Sequence, residues 1–97
     1  VVAETAELGA LARTRSELDV TVGLDDARAL RQADVVLLGP AGWERLRAWR
    51  VGGLRTGVVV YTDGPSPDDR ARLEPVVLLR ALTEAGLAEA LERLAQG

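Results

Sequence analysis

Neither cysteine nor histidine occurs in the 97 residues. The first absence excludes disulfides, thiol nucleophiles and thiolate metal sites. The second removes imidazole as a base, as a metal ligand and as a phosphohistidine relay. Phe, Ile, Met, Lys and Asn are missing too, so Val, Leu and Ala must fill the core and all 12 basic side chains are Arg. The longest apolar runs are about strand length, so nothing spans a membrane, and no secretory leader is visible. There is no basic excess either. Fifteen carboxylates give a formal charge of −3, which argues against a nucleic-acid partner, because phosphate contacts need a basic face. The expectation is a soluble, cytoplasmic protein.

What is present is enough for one domain, residues 1–97, with 47% apolar residues. A chain of this size buries roughly 60–65% of the surface exposed when unfolded. The chain does not begin with Met, so either residues precede Val1 or it has been processed. The first strand, Val1-Val2-Ala3, reads as cut short. Thr5 then caps a helix running to about Glu17, with Leu8, Leu11 and Ala12 on one face. Leu18 to Val22 has strand propensity. Asp25 caps a short helix with Ala27, Leu30 and Ala33 inward.

Val35-Val36-Leu37-Leu38 is a continuous apolar run of the kind buried on both faces, stopped by Gly39-Pro40. Trp43 to about Arg50 reads as a helix ended by Gly52-Gly53. Thr56 to Thr62 is a second apolar strand, followed by the turn-forming Asp63-Gly64-Pro65. A short helix from about Asp68 to Leu73 stops at Pro75, and Val76 to Leu79 is the last strand. Thr83 caps a final helix with Leu87, Ala90, Leu91 and Leu94 as its stripe. The alternation gives (βα)5, a three-layer αβα sandwich with right-handed crossovers and a five-stranded parallel sheet covered on both faces. Ligands of such sheets sit beyond the carboxyl ends of the strands. The residues there are Glu4, Gly23, Gly39, Thr62 and Arg80.

Four segments in this order and spacing resemble the receiver domain of bacterial two-component response regulators. Val1 to Leu8 resembles its first strand, acidic pair and first helix. Asp34 to Leu38 resembles its third strand, which the phosphorylated Asp follows. Val58 to Thr62 resembles its fourth strand with the switch Thr or Ser. Val77 to Ala81 resembles its fifth strand with the Lys-Pro pair. The resemblance implies a CheY-like, flavodoxin-like fold with its strands in the order 2-1-3-4-5, and it also marks departures. The acceptor position falls on Gly39, the acidic pair becomes Glu4-Thr5, and Lys-Pro becomes Arg80-Ala81. A cis bond without proline costs ~2.5–4 kcal/mol, so Arg80-Ala81 is expected trans.

Phosphoryl transfer needs a carboxylate in line, a bridging divalent cation and a neutralising cation together. Gly39 supplies no nucleophile, and Glu4 alone is too little for Mg²⁺. Neither metal nor any other cofactor is therefore expected, and no enzymatic activity. Asp63 reads as a solvated turn carboxylate, while Asp19 and Asp34 begin strands at the opposite end of the sheet. Arg80 has two readings: it pairs with Glu4 across the vacated pocket, which is favoured, or it binds an anion near Thr62.

Partner contacts are the other candidates. Trp43, Leu46 and Trp49 advance by three among Arg45, Arg47 and Arg50, an apolar strip that either packs on the sheet or meets a partner. In receivers the face of the fourth helix, fifth strand and fifth helix often docks partners or a second copy. Here it would involve Arg72, Arg80, Glu84 and Arg93. The leading expectation is a pseudo-receiver, a phosphorylation-independent signalling or interaction module with a protein partner or as a homodimer. The alternative is a sensor of a small anion or nucleotide in the vacated cleft. An enzyme of another flavodoxin-like family ranks last, because no nucleophile–base pair can be assembled and no Gly-rich phosphate loop follows the first strand.

Overall fold

The computed structural model describes residues 1–96. Ten elements alternate: β1 (Val2–Ala3), α1 (Ala6–Arg13), β2 (Thr21–Val22), α2 (Ala27–Gln32), β3 (Val35–Leu38), α3 (Gly42–Val51), β4 (Gly57–Tyr61), α4 (Arg70–Leu73), β5 (Val76–Leu79) and α5 (Glu84–Gln96). All neighbouring strands pair in parallel, in the order β2-β1-β3-β4-β5. This is the flavodoxin-like layout expected above.

The period of two along the central strands divides the core. Val36, Leu38, Val58 and Val60 face one layer with Leu30 of α2, Leu46 of α3 and Leu73 of α4. Leu37 and Val59 face the other with Leu8 and Ala12 of α1 and Leu87 and Ala90 of α5. Burial of each such Leu or Val contributes ~1.5–3 kcal/mol, and these two apolar layers hold the strand ends in place. No helix among the described residues is long and apolar enough to cross a membrane.

Several boundaries shift for local reasons. α1 stops at Arg13 and not near Glu17, because Thr14 and Arg15 turn back through their amides to Leu11 and Ala12, and the Thr14 hydroxyl donates to Leu11 O. β2 shrinks to Thr21–Val22, since its only partner, β1, is equally short. Asp26, not Asp25, caps α2 by accepting from the amides of Arg28 and Ala29. Ala27 is exposed and not inward. α4 begins at Arg70 and not Asp68, because the Asp69 carboxylate is held by Arg47 and does not cap the helix. α3 ends where Gly53 takes φ +92°, a left-handed conformation that suits glycine. The one cis bond among the described residues is Glu74-Pro75, and Arg80-Ala81 is trans as expected.

Candidate functional site

Two separate clusters occupy the carboxyl ends of the strands. The first joins β1, β3 and α3. Glu4 follows β1, and its backbone N–H donates to Leu37 O, continuing the ladder and aiming the side chain at the neighbouring strand end. There Glu4 Oε1 accepts from the Gly39 amide at 3.0 Å. A Cβ on Gly39 would stand 2.9 Å from that same oxygen, inside normal contact. The Glu4 carboxylate therefore fills the space a side chain at position 39 would enter. Arg45 of α3 adds a loose ion pair, its Nε lying 3.6 Å from Glu4 Oε2. Thr5 plays no part in this cluster. Its hydroxyl accepts from Leu8 N and caps α1.

The second cluster joins β4 and β5. Thr62 is only 7% exposed, and its hydroxyl accepts from the Gly64 amide at 3.0 Å. Arg80 reaches over this turn and donates from Nη1 to Thr62 O and Gly64 O, at 3.2 and 2.6 Å. The favoured pairing of Arg80 with Glu4 is thus corrected. Two carbonyls at the β4 turn take the guanidinium, while Arg45 takes the carboxylate. No group of three or more acidic side chains arranged to hold a metal occurs among the described residues. None of five surface depressions among them is lined by Glu4, Gly39 or Thr62.

On α3 the indole strip divides. Leu46 is fully buried, and Trp43 and Trp49 are half-buried against the same layer. Arg50 is no part of a charged rim. It is 6% exposed and donates to Leu73 O, Leu54 O and Pro75 O at 2.8, 2.8 and 3.0 Å. Burial, followed by the nearby Arg55 charge, pulls its pKa below the usual guanidinium value. Its three carbonyl partners tie the end of α3 to the α4–β5 connection. Arg47 makes a two-pronged contact with Asp69, at 2.8 and 2.9 Å. That hydrogen bonding raises the pKa of Arg47 and lowers that of Asp69.

The α4–β5–α5 candidates are only partly assembled. Arg93 pairs with Glu89 along α5 and stands between two depressions on the open edge of β5. Arg80 lines one of them, whereas Arg72 and Glu84 line neither. Sequence reasoning gave no structural role to Arg45, Arg47 or Arg50. For Arg50 the signal was present: Gly42, Leu46 and Arg50 recur every four residues and form the buried stripe of α3.

No family model, no curated protein and no solved structure matches this chain.

Proposed function

We propose that this chain is a receiver-like domain that works without phosphorylation, as a signalling or protein-interaction module with a protein partner or a second copy. The observation that carries this reading is the Glu4 carboxylate seated on the Gly39 amide, in the space an acceptor side chain would occupy. Phosphoryl transfer requires a nucleophile and a metal-binding group of acids at one point. Here the one strand-end carboxylate near that point is engaged internally, and the cation that could neutralise a phosphoryl group, Arg80, is bound to carbonyls.

The alternative, an anion or nucleotide sensor, draws less support. It needs an open cleft between Glu4, Gly39, Thr62 and Arg80, and those side chains are divided between two self-satisfied clusters. Incubation with acetyl phosphate and Mg²⁺ followed by intact-mass measurement tests the reading. The mass should not change. A stable phosphoryl adduct lost on Glu4→Gln or Asp63→Asn would overturn it.

A further inference from the structure

Between α2 and α3 lies a depression of ≈ 480 Å³, lined by Ala27, Leu30, Arg31, Ala48, Trp49 and Leu54 together with the two glycines that end α3. Apart from Arg31, its lining is apolar or glycine. Beside it Val51 is 91% exposed, an unusual position for a large aliphatic side chain at the end of a helix that otherwise buries Leu46. The floor is braced from behind, since Arg50 holds Leu54 O and the α4–β5 connection.

The one charged side chain in the lining is Arg31, and it is exposed. The Arg28 and Arg31 side chains, three residues apart on α2, make no ion pair among the described residues. Of the acids that begin α2, Asp26 is engaged in its cap, leaving Asp25 exposed. Arg45, Arg47 and Arg50 are engaged away from the groove, by Glu4, by Asp69 and by backbone carbonyls, so Arg31 is the cation the groove itself presents. An occupant that buries apolar side chains here and answers Arg31 carries a carboxylate opposite it.

The groove also constrains the backbone of that occupant. Its walls are helices, and the amides of Gly52, Gly53 and Leu54 already return to carbonyls of α3. No strand edge lies within the lining, so an extended peptide would find no ladder to join. A helix satisfies its own backbone and presents apolar anchors one turn apart.

We infer that the α2–α3 groove is the docking surface of the module and that it takes an acidic amphipathic helix of a partner protein. Apolar anchors seat on Leu30, Trp49 and Leu54, and a carboxylate meets Arg31. Trp and Arg are the residue types that most often dominate binding at such surfaces. The inference rests on the interaction-module reading above.

The probes are two synthetic amphipathic peptides with Leu on one face, one carrying Glu and the other Lys on the opposite face. They are titrated into the full chain carrying Trp43→Phe, so that Trp49 is the sole indole, with amide shifts recorded in parallel. The Glu peptide should give saturable changes in Trp49 emission and at residues 27–31 and 48–54, and the Lys peptide should not. Arg31→Glu should weaken the Glu peptide by about tenfold or more and admit the Lys peptide. Ala48→Glu, at an exposed position in the same lining, should weaken the Glu peptide by repulsion. Equal binding of both peptides, indifference to both substitutions, or shifts confined to the β5 edge would overturn the groove assignment while leaving the interaction-module reading standing. Phosphoryl labelling by acetyl phosphate would remove that reading itself.

Discussion

At the carboxyl ends of the strands, Glu4 and Arg80 are answered from within the chain: one by the Gly39 amide and Arg45, the other by Thr62 O and Gly64 O. In the α2–α3 groove an uncommitted guanidinium stands over apolar walls. The fold places both regions on the same scaffold, but they differ in what they leave unsatisfied. A polar group that has found partners inside the chain gains little from a ligand, because binding must first break those contacts. An apolar wall still in water gains by being covered. The difference is the physical basis for the proposed docking at the helical layer, although strand ends are where ligands usually sit in such sheets.

Arg50 offers the largest effect, because it braces the groove. Arg50→Leu removes three hydrogen bonds from a buried cation and leaves the carbonyls of Leu54, Leu73 and Pro75 without that donor. The expected loss is on the order of 3 kcal/mol, read from the urea midpoint at unchanged slope. A variant as stable as the parent would mean that the groove's floor does not depend on this brace.

Next comes the filled strand end. Gly39→Asp forces a second carboxylate into the space of Glu4 Oε1 and should cost about 1–3 kcal/mol near neutral pH. Glu4→Gln added to Gly39→Asp should restore much of that loss by removing the like charge. Parental stability in Gly39→Asp alone would show that the site is open and would erase the contrast between the two regions.

Asp69→Asn should have a smaller effect with a distinctive pH dependence. Hydrogen bonding from Arg47 holds the Asp69 carboxyl below its ordinary value. A carboxylate depressed in the folded state contributes stability above its unfolded pKa and loses it as pH falls through the folded value. The parent should therefore exceed Asp69→Asn in melting temperature at neutral pH, and the gap should close in acid. A gap that persists unchanged to low pH would assign the effect to the turn and not to the ion pair.

How far these regions could be read from sequence depends on which interactions are local. The strands and the two layers were legible from continuous apolar runs such as Val35–Leu38 and Gly57–Tyr61, which are buried nearly throughout, whereas the strand order came only with the family resemblance. Thr5 and Thr83 were readable as caps because their hydroxyls meet amides three residues away. The start of α4 was not legible in the same way, because the Asp69 carboxylate is held by Arg47, 22 positions distant, and nothing local signals that pairing. The same applies to Glu4. Its position at a strand end was evident, whereas its preference for Gly39 and Arg45 over Arg80 depends on which side of the sheet end each cation reaches. The α2–α3 groove arises from two helices meeting across a crossover, a relation that helical periodicity alone does not give.

The Glu4–Gly39 strand end is closed by the chain's own carboxylate. The most direct test of that closure is a titration of the parent chain with Mg²⁺ and beryllofluoride, a phosphoryl mimic, followed by amide shifts. The Gly39, Thr62 and Arg80 amides should remain unshifted throughout the titration. Saturable shifts at Gly39 and Thr62, abolished in Glu4→Gln, would contradict the account and return the function to the strand ends.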